Sequence, residues 1–169
     1  DNGVVSADDA VSVEEYGPAW RRGPFERGTD GPHVILAGVD DTASSARAGA
    51  YAAGLARRQG SRLVMVYVRA PSAWTGMTPT LLAGAQEETY QDVVEELRGR
   101  VAGLAKEANI NVTLEVRRGD AYAELKRAAI DRKADLVVVG ASESAGRRLV
   151  GSVAQRLVRA ALWPVTVVP

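Results

Sequence analysis

The 169-residue chain predicts an α/β fold: an open, doubly wound parallel sheet of five strands alternating with four main helices. Three observations carry that expectation. Five apolar runs recur along the chain, each followed by a break in periodicity. The segments between them repeat apolar residues at helical rather than alternating spacing. The run Leu136–Val139 is continuous Val and Leu, which fits a parallel strand covered on both faces.

Asp1–Pro32 is polar, acidic and rich in Gly and Pro, without helical or strand period, and reads as a flexible arm ahead of a domain spanning 33–169. Tyr16, Trp20 and Phe25 could dock that arm on the domain or on a partner. Val34–Val39 is the first strand, stopped by Asp40, Asp41 and Thr42. Thr42 or Ser44 can cap the helix Ala43–Gln59, which Gly60 ends, and its Ala46, Ala50, Ala53 and Ala56 suit close packing on a sheet. Leu63–Val68 is the second strand. The stretch from Arg69 to Ala83 holds Pro71, Trp74, Gly76 and Pro79 and reads as a loop. Tyr90, Val94, Leu97, Val101, Leu104 and Ala108 then mark one face of a long helix ended by Asn109. Val112–Val116 is the third strand, and Gly119-Asp120 opens a helix to about Arg132 with Tyr122, Leu125 and Ala129 on one face. Strand four, a glycine-bearing loop from Gly140, a short helix from about Ser152 and the last strand Val165–Val168 complete the chain. Trp163-Pro164 sets the approach to that strand, with the indole a candidate for a dimer seam.

The totals exclude several classes of function. No cysteine is present, so disulfides, thiolate chemistry and Cys-ligated zinc are absent. The lone His33 stands just before the first strand, reads as a surface residue and has no second histidine to share a metal. Net charge is zero; seven acids against three arginines in residues 1–32 leave the remainder near +4, too little to argue for nucleic acid. No apolar run approaches the roughly 20 residues that span a bilayer, and no signal peptide is visible. A cytoplasmic protein is the expectation.

The stretch 134–169 concentrates the chemistry. Gly140 follows a buried strand, and Gly151-Ser152 opens a helix; small residues and free helix-terminal N–H groups together make a candidate phosphate cradle. Ligands of open α/β sheets bind at this carboxyl edge. Three nucleotide chemistries fail on residues. The first turn, GVDDTASSA, lacks G-x-G-x-x-G, and no run matches G-x-x-x-x-G-K-[ST], because GRRLVGS has no lysine. A phospho-acceptor receiver would use Asp40-Asp41 but needs an aspartate after strand three, where Arg117-Arg118 stands, and a lysine after the last strand. A catalytic Ser–His–Asp set or paired carboxylates do not stand out.

Three segments in order, VILAGVDDTASSARA, the Gly119-Asp120 helix opening and VVVGASESAGRRLVGSVAQRLVRAALWPVTVV, resemble the universal stress protein family over 33–169. The resemblance implies an adenine nucleotide alpha hydrolase-like sheet of order 3-2-1-4-5, homodimerisation through Val165, Thr166, Val167 and Val168 and, in one subgroup, ATP at the carboxyl edge. Carried over, Asp40 lies near the adenosine, with Gly38, Val39 and Val68 flanking the adenine. Gly140 matches the first phosphate-loop glycine, and Gly151 and Ser152, followed by Val153, match the closing Gly-Ser that holds phosphates; Val139, Ser142, Gly146 and Arg147 complete the candidate nucleotide-binding set. AMP and cyclic AMP are alternatives to ATP, and Mg accompanies a triphosphate.

This chain departs from the ATP-binding pattern G-x2-G-x9-G-[ST], since it reads Gly140-x2-Glu143-x7-Gly151-Ser152. Glu143 brings a Cβ and, if turned inward, a repulsion of a few kcal/mol at an effective dielectric of about 20. Arg147 and Arg148 could offset it by gripping phosphate oxygens. The ordinary reading of Ser152 is a helix N-cap after a flexible glycine; that of Asp40-Asp41 is a turn and cap. The functions implied are a dimeric regulator that binds an adenine nucleotide and signals stress or energy state to a protein partner, a dimeric interaction module without nucleotide, or a slow ATPase.

Overall fold

The computed structural model describes residues 11–19, 31–70, 80–144, 147–149 and 151–169. In chain order they form β1 (Val11–Tyr16), β2 (Val34–Val39), α1 (Ala43–Gln59), β3 (Arg62–Arg69), α2 (Thr80–Ala108), β4 (Val112–Arg118), α3 (Ala121–Asp131), β5 (Leu136–Gly140), β6 (Ser142–Ser144), β7 (Arg147–Leu149), α4 (Ser152–Ala160) and β8 (Val165–Val168). The main sheet runs β1-β4-β3-β2-β5-β8. Its five inner and C-terminal strands are parallel to their neighbours, in the relative order the family resemblance implies.

The sheet nevertheless has six strands, not five. β1 adds to the β4 edge antiparallel, from Val11 opposite Arg117 to Tyr16 opposite Val112. It falls inside the stretch expected to be an arm without periodicity. An edge strand faces solvent along one side, so it needs no continuous apolar run, and the Glu14-Glu15 pair breaks the alternation that would have marked it. The glycine-bearing loop is a second departure: β6 and β7 pair as an antiparallel ribbon, with Glu143 opposite Arg148 in its register.

Helices cover both faces. One core gathers Ala48, Ala52, Ala53 and Ala56 of α1 with Val94, Leu97 and Val101 of α2 against Ile35, Leu63 and Leu114. Of the α1 alanines singled out in the sequence, Ala53 and Ala56 are buried, whereas Ala46 and Ala50 face outward. The other core packs Leu125, Ala128 and Ala129 of α3 and Leu157 of α4 against Leu36, Val64, Val66 and Val137, with Trp163 partly buried at its margin.

Local signals set the boundaries. Thr42 caps α1 by accepting from the Ser45 amide, and Gly60 ends it in the left-handed conformation at φ 67. Asp120 caps α3 by accepting from the Ala123 amide. The helix α2 begins at Thr80, earlier than the Arg69–Ala83 loop expectation allows; Pro71, Trp74, Gly76 and Pro79 lie outside the described residues.

Candidate functional site

A cleft of about 370 Å³ opens at the carboxyl edge, where β2 and β5 diverge toward the start of α4. Its size is at the small end of the range for small-molecule sites. Apolar side chains of Val66, Val68, Leu125, Val139 and Val153 form its walls, and polar groups gather at the ends of β2 and β5.

Asp40 follows β2 and is fixed by the first turn of α1. Its Oδ1 accepts from the Thr42 amide (2.8 Å) and hydroxyl (2.6 Å), while its own amide donates to Ser45 Oγ (2.6 Å). The carboxylate is exposed and its Oδ2 makes no hydrogen bond among the described residues. It can therefore accept from a ligand hydroxyl or amine without giving up its local role.

The two glycines of the edge serve different purposes. A Cβ on Gly140 would stand 2.8 Å from the Ser44 carbonyl carbon and 2.9 Å from the Ser45 nitrogen. Glycine is thus required there for α1 to approach the tip of β5. A Cβ on Gly151 would instead meet Ser142 Cβ at 3.1 Å, across the cleft mouth. Gly151 is itself the N-cap of α4, at φ −61, and makes no side-chain cap hydrogen bond among the described residues. The expected N-cap, Ser152, lies one position inside. The first N–H groups of α4 consequently reach the cleft end with no cap side chain at Gly151, and such groups attract anions.

The structure brings Gly38, Val39, Asp40, Val68, Val139, Gly140, Ser142, Gly151, Ser152 and Val153 to this one cleft. Gly146 lies outside the described residues, and Arg147 is placed only as the first residue of β7. Asp41 is exposed and stands apart from the lining; with burial as the larger cause, its charge helps push the Tyr67 phenol above its ordinary pKa. Thr42, Ser44 and Ser45 were missed as lining residues. The Thr42 cap was legible, and a helix that starts just after a strand's carboxyl end must present its first turn to the same edge. Among the described residues no group of His, Asp and Glu could hold a metal ion, and no helix is long and apolar enough to cross a membrane.

A sequence model of the universal stress protein family matches residues 32–169, well over half of the chain. The chain belongs to the universal stress protein family. Universal stress protein MJ0531 of Methanocaldococcus jannaschii is 28% identical over 136 residues, covering 79% of this chain and 80% of that relative. Among solved universal stress proteins, UspA from Lactobacillus plantarum superposes with a TM-score of 0.66 at 25% identity, covering 80% of this chain and 97% of its own. A universal stress protein solved in complex with cAMP gives a TM-score of 0.62 at 25% identity, over 82% of this chain and 97% of that one. The six-stranded sheet thus contains the universal stress protein architecture with β1 added ahead of the matched region.

Proposed function

We propose that the carboxyl-edge cleft binds an adenine nucleotide, ATP first among the candidates, and that occupancy of this site is what the protein reports as a dimeric regulator. The observation that carries the reading is the convergence, on one cleft, of an apolar slot, a fixed carboxylate with a spare oxygen and a helix N-terminus with no cap side chain at Gly151. The cAMP complex of a relative supports an adenine ligand of this kind.

Each group has a task suited to its chemistry. Val68, Leu125 and Val139 offer a flat apolar lining to a base, worth about 25 cal/mol for each Å² of apolar surface removed from water. Asp40 Oδ2 accepts from a ribose hydroxyl. The Gly151, Ser152 and Val153 amides and the Ser152 hydroxyl hold phosphate oxygens, and the absence of a Cβ on Gly151 keeps the way past Ser142 open. A metal accompanying a triphosphate would be held chiefly by the phosphates, since the described residues supply no carboxylate cluster.

Titration calorimetry with MgATP, AMP and cyclic AMP tests the reading. Micromolar binding of one of them that is lost in Asp40→Ala and in Gly151→Ala supports it. Absence of heat up to millimolar nucleotide overturns it. One observation favours a second reading, a dimeric module without nucleotide: the packing of α1 already accounts for Gly140, so this glycine does not by itself require a ligand.

A further inference from the structure

The family match begins at residue 32, so β1 lies outside it, yet β1 is held by contacts that an incidental tail would lack. Adjacent strand residues point to opposite faces, and here both faces are engaged. On the α2 side, Arg98 Nε donates to both carboxylate oxygens of Glu14, at 2.7 and 2.9 Å. On the other side, Arg62 Nη2 donates to Glu15 Oε1 at 2.5 Å. Tyr16 packs against the α1–α2 core and its hydroxyl donates to Glu14 Oε2 at 2.5 Å. The strand ends at Gly17, φ +89, where a Cβ would run into the Ile110 carbonyl oxygen. Beyond it, Asn111 Nδ2 donates to the Pro18 carbonyl at 3.2 Å.

The β4 edge therefore reads a pattern along an extended segment: an acid for each face, then an aromatic ring, then a glycine. Two arginines supply the reading, and they reside on elements that exist without β1. With Gly17 and Pro18 held, the occupant is joined to β2 by residues 19–33, which at about 3.3–3.6 Å per residue could extend on the order of 50 Å. That exceeds the width of the sheet, whose strands lie roughly 4.8 Å apart.

We propose that the β4 edge is a strand-receiving surface that the chain's own residues 11–16 occupy and that the same segment of a second copy occupies in exchange. The acid–acid–aromatic–glycine pattern that fits the edge is this chain's own, which identifies the second copy as the partner. Exchange preserves every contact just described and alters only the path of the connection, the condition under which swapping costs little.

The test uses the full chain carrying Glu14→Arg and Gly17→Val, which weakens its own strand, and a fluorescent peptide of residues 11–19. The peptide is expected to bind this variant saturably and to bind the wild type, whose edge is filled, far more weakly. A peptide carrying E14R should bind the variant about tenfold less tightly, the equivalent of about 1.4 kcal/mol. Equal binding of both peptides, or of an unrelated acidic peptide, overturns the proposal, as does absence of binding to a cooperatively melting variant. If the double variant does not melt cooperatively, E14R alone takes its place and the same results decide.

Discussion

Gly140 and Gly151 bound the segment that separates β5 from α4, and their surroundings assign them different constraints. Gly140 lies against backbone atoms of Ser44 and Ser45, which cannot move without shifting α1. Gly140→Ala should therefore cost about 1–3 kcal/mol, the usual range for overpacking, read as a lowered Tm. Gly151→Ala meets only Ser142 Cβ at 3.1 Å and adopts a φ that alanine accepts. Its Tm should stay close to wild type, a cost within about 1 kcal/mol, while nucleotide binding falls. The β1 contacts also titrate. Burial raises the Glu14 carboxyl, but hydrogen bonds from Arg98 and Tyr16 outweigh it and hold the pKa below the ordinary 4.5. A depressed carboxylate stabilises docking above its unfolded value, so this contribution fades as pH falls below about 4.5 through the folded pKa. Tyr16, pushed up to about 12 by burial and then by its bond to Glu14, contributes below pH 10 and loses that contribution between pH 10 and about 12. Hydrogen exchange of the β4 amides across these two windows checks both signs. At this scale the sequence was legible where one residue type serves one role, as at Thr42, Gly60 and Asp120. It misled at Ser152, because glycine at the preceding position takes the cap without offering a side chain.

Among the elements, the parallel strands and their helices were legible because burial on both faces demands unbroken apolar runs and helical spacing. β1 was not, because edge pairing, ion pairs and the single ring of Tyr16 hold it rather than an apolar run. The β6–β7 ribbon was hidden for a related reason: three-residue strands are too short to show a period. β4 displays both signals at once. Leu114 and Val116 enter the α1–α2 core, whereas Glu115 and Arg117 are buried on the opposite face. Glu115 is fully buried and accepts from Arg117 Nε at 2.7 Å and from Arg132 Nε. Arg117 also reaches Glu124 at 3.4 Å and Asp131 at 3.2 Å, which ties β4 to both ends of α3. Removing Glu115 takes from the buried Arg117 guanidinium its nearest and fully buried acid and leaves it only the longer contacts to Glu124 and Asp131. Glu115→Ala should lower stability by about 3–5 kcal/mol, measured by denaturant unfolding.

For the whole molecule, the two edges of the sheet differ. β1 closes the β4 side with paired backbone and charge, while among the described residues β8 pairs only with β5 and is the other terminal strand of the sheet. A half-buried Val-Thr-Val-Val strand at such an edge is a surface for association, which is why we propose that dimerisation uses it. Light scattering of the Glu14→Arg chain, in which exchange of β1 is weakened, should give twice the 17.9 kDa chain mass, reduced to one chain when Thr166→Lys is added, because a charge on an edge strand opposes pairing. The candidate cleft was legible in outline because its residues sit at strand ends, which topology forces onto one edge. The contribution of α1, through Ser44 and Ser45, emerged only once the helix was packed against β5. The most direct test of the account is amide NMR of the full chain titrated with MgATP. Saturable shifts centred on Asp40, Gly140, Ser142 and Gly151–Val153, with the β1–β4 ladder unmoved, are the predicted result. Spectra unchanged at millimolar ATP, or shifts confined to residues remote from that edge, would contradict it.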